Sequence, residues 1–504
     1  MDDRTTVFVR QELVPQRKAP VRTTGAVAWV QSRLFGSPTS ILLTIVAALL
    51  LYFTIVPAVK FLLIDAVWTG SDRDACLPEK VGRDVGACWP FVQAKFQQFM
   101  YGFYPTNQLW RVNLVFAAAL ILLIPLLIPR IPGKTLNSVL FFFALPVVAF
   151  FLLHGGGIKG FGISWVSGLL NAIAESIAEG GWRLRVTGGG LGWPGISQVL
   201  ALLGFAIWLI GQALLYILAP LTWVRDTLQD SSNPVWNDFL LTAVIITALL
   251  YGLTRSVRAL LICIATFLAI AALIGALGLH RGGLPIVSTR EWGGMLVTLV
   301  VSVTGIVASM PVGMALALGR RSQIPLIRAC SVIFIEFWRG VPLITVLFFA
   351  TYMLPLFMPQ GFSIDGMVRV LVGVALFSGA YNAEVIRGGL AAIPRGQAEA
   401  ANALGLSYWK TTGLVVMPQA LRHVIPGLVN SFIALFKDTT LVQIVAIFDL
   451  LGQLRASFAD PVWATPTTLF TGFAFAGLIY FVFCFAMSRY SLFVEGRLNV
   501  HRRT

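Results

Sequence analysis

Apolar positions along this chain fall into long runs, not into the short periodic alternation of soluble strands and helices. Strong runs cover about residues 41–63, 111–129, 137–154, 197–219, 237–253, 259–278, 293–318, 341–358, 366–388, 424–447 and 467–488. Each is long enough for a helix rising 1.5 Å per residue to cross a hydrocarbon core of about 30 Å. Eleven such runs predict an all-α, polytopic transmembrane protein. The first run lies behind Arg4, Arg10, Lys18, Arg22 and Arg33, too deep for the apolar stretch of a secretory leader. No cleavable signal peptide is expected.

Polar positions between the runs set the direction. Arg130 and Lys134 follow the second run, and Arg320, Arg321 and Arg328 follow the seventh. Basic loops favour the cytoplasm. Eleven spans cannot place both of these loops and the basic N-terminal tail inside. A twelfth, weaker segment at 161–179, interrupted by Asn171 and Glu175, removes the conflict if it crosses. Arg183, Arg185, Arg255 and Arg258 then also fall inside, and both termini are cytoplasmic. Glu175 is the weak point, because a carboxylate is costly in lipid unless it faces protein or a cavity. The competing reading is an amphipathic helix lying on the membrane.

By these signals the chain divides into a basic cytoplasmic tail (1–40) and a three-span region (41–154) with an external loop at 64–110. An extra spanning region (155–290), a C-terminal five-span block (291–498) and a short tail (499–504) follow. The glycine-rich stretches 155–160 and 180–196 read as flexible connections.

Composition agrees with the run pattern. Of 504 residues, 57% are hydrophobic and 12% charged, half the charged share of a soluble domain. The formal net charge of +15 is better explained by cytoplasmic basic loops than by nucleic acid, and no nucleic-acid partner is expected. Cys263, Cys330 and Cys484 lie in or beside apolar runs and behave as small hydrophobes. Cys76 and Cys88 share the polar 64–110 loop. A disulfide between them and two free thiols are both open readings. His154, His280, His423 and His501 show no metal-ligand spacing, and no catalytic constellation is present. Gly133-Lys134-Thr135 has Ile128 where a phosphate-binding loop needs glycine, so this chain carries no nucleotide motor of its own.

One polar loop carries a pattern. It reads Pro394-Arg395-Gly396-Gln397-Ala398-Glu399-Ala400-Ala401-Asn402-Ala403-Leu404-Gly405 and continues to Val415-Val416-Met417-Pro418. A short helix of small residues, closed by a glycine, buries little of its own and suits a groove on another protein. This spacing of Glu399-Ala400-Ala401, Gly405, Val415 and Met417-Pro418 resembles the EAA loop of ABC importer permeases. Three flanking stretches, Arg339-Gly340-Val341-Pro342-Leu343, residues 378–389 and Lys437-Asp438-Thr439-Thr440-Leu441, resemble the polar-amino-acid branch of that family. The resemblance covers about residues 290–498. The added N-terminal spans are similar to the longer, M-type subunit of general L-amino-acid importers, with 158–282 outside the usual pattern.

The resemblance implies a type I ABC-importer permease core of about five spans with extra N-terminal spans, about 12 in total. It implies a non-catalytic subunit in a bacterial inner membrane that couples through residues 394–418 (Gly396, Glu399, Ala400, Ala401, Gly405, Pro418) to a separate ATP-binding subunit dimer. It further implies a homologous second permease and a periplasmic amino-acid-binding protein, with ATP and magnesium on the ATPase and no cofactor on this chain. Intramembrane polar groups are functional candidates. Asn382, Glu384, Lys437 and Asp438 are therefore candidate substrate-path residues, with the alternative that they pair and fix helix packing. Arg339 is expected to hold Glu336. The competing class is an ion-gradient-driven secondary transporter, which predicts repeat symmetry and broken midplane helices.

Overall fold

The computed structural model describes residues 25, 29–30, 33–128, 130–190, 193, 195–358 and 364–498. Arg4, Arg10, Lys18 and Arg22 of the basic tail, His501, and the tail 499–504 lie outside the described residues. Within them, regular structure is helical, with isolated bridges between loops. That follows from the solvent: a backbone amide in hydrocarbon finds no water, and a helix satisfies every such group internally. Ten helical segments among the described residues are long and apolar enough to cross a bilayer, or eleven if one bent pair counts as a span. The bent pair is Pro325–Gly340 with Leu343–Phe357, meeting at 103°. The break falls at Val341-Pro342, where proline supplies no N–H to continue the first helix. The expected run at 341–358 is thus the second limb of a sharp corner.

The chain packs as two compact units. The first comprises Met1–Gln97 and Leu454–Val482. Here α1 (Pro38–Val59) is apolar throughout and exposed along its length, as a lipid-facing span is. Beyond it the loop folds back on itself, with Val67 N–H donating to Ala87 O (2.8 Å) and Trp89 N–H to Val67 O (3.0 Å). Cys76 and Cys88 are joined by a disulfide with Cα atoms 5.7 Å apart, which removes the free-thiol reading. Helix α2 (Trp89–Tyr101) carries Lys95, which forms an ion pair with Asp460. The Val462 N–H also donates to Asp460 (2.9 Å). The Lys95 bond, and then the Val462 N–H, hold the Asp460 carboxyl below its ordinary range.

The second unit comprises Gln98–Gln453 and Phe483–Thr504. Its first spans are α3 (Leu109–Leu127) and α4 (Lys134–His154). Next come α5 (Gly162–Gly189), α6 (Ile196–Gln229), α7 (Pro234–Thr254) and α8 (Val257–Ala276). The C-terminal part contains α9 (Gly294–Arg320), α10 (Pro325–Gly340) and α11 (Gly366–Ala391). A short α12 (Arg395–Ala403) leads to α13 (Met417–Asp438). The main core lies where α9, α11 and the Leu343–Phe357 limb meet, around Leu296, Val297, Val301, Leu347 and Val370.

Residues 155–158 and 180–189 of the glycine-rich stretches are packed or helical, where flexible connections were expected. Helix α5 runs straight through Gly180 and Gly181, because α5 and α6 pack antiparallel with their backbones nearly touching. A Cβ added at Gly181 would stand 2.2 Å from Trp208 N, and one at Gly211 would stand 2.4 Å from Ala178 N. Small residues at such a seam are how membrane helices gain contact without a hydrophobic driving force. Gly155–Gly157 likewise lies against 279–285, with Gly156 N–H donating to Leu284 O (2.7 Å) and Ile158 N–H to Leu279 O (3.0 Å).

All of the weak 161–179 segment but Phe161, which precedes the first turn, lies within α5, which is not among the ten apolar spans. Its N-terminus is capped from a distant helix. Asp238 of α7, fully buried, accepts from the N–H groups of Phe161 (2.6 Å), Ile163 (3.0 Å) and Ser164 (3.1 Å). Thr242 Oγ1 donates to the same carboxylate (3.2 Å). These are the amides a helix leaves without partners, and an anion there also complements the helix dipole.

Two outcomes are expected. Asp238→Ala strands buried donors and should destabilise the second unit by about 1–3 kcal/mol, read as a lower Tm and faster proteolysis near 155–165. For Asp460, a depressed carboxylate contributes stability that is present above its unfolded pKa and lost as pH falls through the folded one. Acid sensitivity of the first unit below about pH 4 should therefore shrink in Asp460→Asn, measured by thermal unfolding across pH 3–7. An unchanged acid limb would show that the pair does not govern it.

Candidate functional site

Helix α12 is the 395–403 part of the patterned loop. Pro394 supplies no N–H of its own and precedes the first turn. At the other end Leu406 N–H donates to Ala401 O (3.2 Å) and Gly405 N–H to Asn402 O (2.9 Å). With Gly405 at φ +78°, this is the six-to-one and five-to-two pairing of a Schellman motif. A side chain at that φ is strained, which is why the turn asks for glycine. Thr411 Oγ1 then bonds Asn402 Oδ1 (3.2 Å) and ties the turn to the next helix. Residues 411–416 widen into a π turn just ahead of Pro418, whose missing N–H leaves no bond for the carbonyl four residues back.

The outer surface of this loop is what its own fold leaves unused. Of α12 only Ala401 is buried, whereas Gly396, Glu399 and Ala400 are exposed. A Cβ at Gly396 would meet nothing within 4 Å. Around the turn Leu404 (82%), Trp409 (73%) and Leu414 (70%) stand out to solvent. Pro418 is also exposed. These are large apolar side chains that the loop's own fold leaves uncovered.

The candidate path residues separate into two groups. Asn382 of α11 and Asp438 of α13 line one cavity of about 240 Å³, together with Phe377, Tyr381, Ser431 and Phe432. Asn382 is buried, and its Nδ2 donates to Ser309 Oγ (2.9 Å). Its Oδ1 has no partner among the described residues. Glu384 is elsewhere: it bonds Arg320 (2.5 Å) and Arg387 (3.0 Å). Lys437 is exposed and does not line the cavity. Arg320 also reaches Glu336 (3.1 Å), so Glu336 is held by Arg320 and not by Arg339. Arg339 instead lies over the Tyr381 ring, 5.6 Å from its centroid.

Sequence reading missed the hydroxyl and aromatic lining of the cavity. A signal was present, since Ser378 stands four residues before Asn382 and Ser431 seven before Asp438, each on the same helix face. Close packing behind the cavity comes from α9. A Cβ at Gly313 would stand 3.0 Å from Asn382 Cβ, and one at Gly379 would stand 2.6 Å from Val312 Cγ1.

Comparison with known proteins gives a consistent set. The family profile described as binding-protein-dependent transport system inner membrane component matches residues 309–500. The inner membrane amino-acid ABC transporter permease protein YhdY of Escherichia coli is 36% identical over 488 residues, 97% of either chain. The glutamate/glutamine/aspartate/asparagine transport system permease protein BztC of Rhodobacter capsulatus is 38% identical over 508 residues, 99% of either chain. Among solved structures, the crystal structure of an amino acid ABC transporter with histidines matches 40% of this chain and 92% of that one, at 29% identity and a TM-score of 0.36.

Glu384→Gln should destabilise the α9–α11 contact by about 2 kcal/mol, between an exposed pair and a fully buried one. A double-mutant cycle with Arg320→Gln should give a coupling of about 1 kcal/mol or more. Strict additivity would mean that the pair is geometric only.

Proposed function

The chain belongs to the binding-protein-dependent transport system inner membrane component family, and on that footing we propose that it is the permease subunit of an ATP-driven importer of polar L-amino acids. Family membership makes it a non-catalytic, multi-pass membrane subunit. The full-length likeness to an amino-acid permease and to one named for glutamate, glutamine, aspartate and asparagine supports the substrate class. The ion-gradient-driven carrier finds no support in these comparisons.

The observation that carries the coupling role is the loop itself. A nine-residue helix with one buried alanine, exposing Leu404, Trp409 and Leu414, is a docking element for a partner. That partner is the ATP-binding subunit dimer, which holds ATP and magnesium. Gly396, Glu399, Ala400, Gly405 and Pro418 form the coupling contact, and the buried Ala401 anchors the helix to its own chain. A homologous second permease completes the pore, and a periplasmic amino-acid-binding protein delivers substrate. Asn382 and Asp438, with the aromatic rings around them, offer an amide and a carboxylate to the polar and ammonium groups of an amino acid. Glu384 is better read as an inner ion-pair element than as a substrate contact.

For topology we favour twelve spans in a bacterial inner membrane with both termini cytoplasmic. Helix α4 ends, and α7 begins, at the same end of the second unit: residues 156–158 bond 279–284, and Asp238 caps residues 161–164. The antiparallel α5–α6 hairpin leaves that end and returns to it, so both helices cross or neither does. Because α6 is long and apolar enough to span, α5 spans with it.

Glu399→Lys and Gly405→Asp should each lower amino-acid uptake at least tenfold at normal membrane abundance. Both should also weaken co-purification of the ATP-binding subunit. Unchanged uptake in both variants would remove the coupling role from this loop.

A further inference from the structure

Helix α5 presents three faces, of which two are accounted for. Ser164, Ser167, Asn171, Ala174, Ala178 and Gly181 are buried within the unit. Val166, Leu169 and Ile173 are exposed and suit lipid. The third face carries Gly168, Ala172, Glu175, Glu179 and Arg183, a four-three-four-four spacing that keeps all five on one strip. It is uncovered: Ala172, Glu175, Glu179 and Arg183 are exposed, and a Cβ at Gly168 would meet nothing within 4 Å.

Depth makes this face unusual. On the twelve-span reading above, on which this inference rests, the capped end at Gly162 marks one membrane boundary. Glu175 then stands about 20 Å along the axis, inside a hydrocarbon core of about 30 Å. Glu179 is paired with Arg183 (2.5 Å). Glu175 has no ion pair among the described residues. One turn away Asn171, only 7% exposed, has an Oδ1 with no hydrogen-bond partner among the described residues. A carboxylate without an ion pair therefore stands at lipid depth on the uncovered strip, while the Asn171 Oδ1 is enclosed on the buried face. Ionisable groups in that position face protein or a cavity.

We infer that this strip of α5 is the seat of a membrane-spanning helix from a different polypeptide of the transporter assembly, one that brings Arg, Lys, His or an amide donor to the depth of Glu175. Charge decides against a second copy of this chain. Two copies inserted in the same direction would set Glu175 against Glu175 at equal depth, carboxylate on carboxylate. Lipid amines lie at the interface, too far along the axis to reach it. Gly168 and Ala172 permit close backbone approach on the same strip, which is how membrane helices pack.

The test uses the intact assembly in cell membranes, with a photo-crosslinking residue at Ala172 and, as a lipid-facing control, at Leu169. The expected result is an adduct from Ala172 with a different chain. Its crosslinked peptide, identified by mass spectrometry, should be a membrane span carrying a donor side chain. The adduct should be at least fivefold weaker from Leu169, fall at least fivefold in Glu175→Leu and return in Glu175→Asp, with abundance of this chain unchanged. An adduct of two copies, a lipid adduct alone, or an adduct indifferent to Glu175→Leu overturns the proposal. Labelling of Lys159→Cys and Thr187→Cys, with the free cysteines replaced, separates the premise from the inference. Labelling from opposite faces upholds the crossing, whereas labelling from one face overturns both.

Discussion

The constraint on which this structure depends is that a peptide group inside hydrocarbon must find its partner in protein. Runs of 20 or more apolar residues would satisfy the hydrophobic effect in many conformations, but only the helix also satisfies the amides. Where the chain leaves the helix near an end, the freed groups are bonded again at once. Residues 102–103, 154–158, 279–294 and 448–450 do so by pairing with one another across loops, as in Phe103 N–H to Glu291 O and Gly294 N–H to Phe448 O. Arg111, fully buried, adds a side-chain bond to Pro285 O (2.9 Å). One end of the second unit is thereby sewn together by main-chain bonds.

The opposite end is held differently. Arg320, Glu336, Glu384 and Arg387 form an ionic chain joining α9, α10 and α11, and Arg321 bonds the Leu390 carbonyl (3.2 Å). Charges and long side chains tolerate displacement better than interlocked backbones do. Between the two ends, glycines bring α9 and α11 into backbone contact, so this pair has little freedom to slide. The 394–418 loop, by contrast, has almost no core of its own. The second unit thus combines a rigid helix pair, an ionic end and a loop with little core of its own.

The span pattern was legible in the sequence because burial in lipid is a property of every position in a run. All eleven strong runs coincide with apolar helical segments. The turn that closes α12 was legible too, because a glycine after a short run of small residues is what such a helix end asks for. Less local facts were not. The 341–358 run gave no sign of the 103° corner at Pro342, which depends on what the two limbs pack against. The stretch with Gly180 and Gly181 read as a flexible connection, since nothing nearby shows that Gly204 and Gly211 complete a seam. The partner of Glu336 was assigned to the nearest cation in sequence, Arg339, whereas the actual one, Arg320, arrives from another helix. Serines beside Asn382 and Asp438 looked like ordinary small residues until two helices set them around one cavity.

The Asp238 cap also bears on how the chain is made. Its amides belong to residues up to 77 positions earlier, and they are synthesised first. At roughly 5–20 residues per second, the start of α5 waits about 4–15 s before its carboxylate emerges. By the close of that interval the α5–α6 hairpin has its glycine seam but still an open end. The membrane-insertion machinery is therefore handed an unfinished helix, and the order of synthesis places its closing bond in a later span.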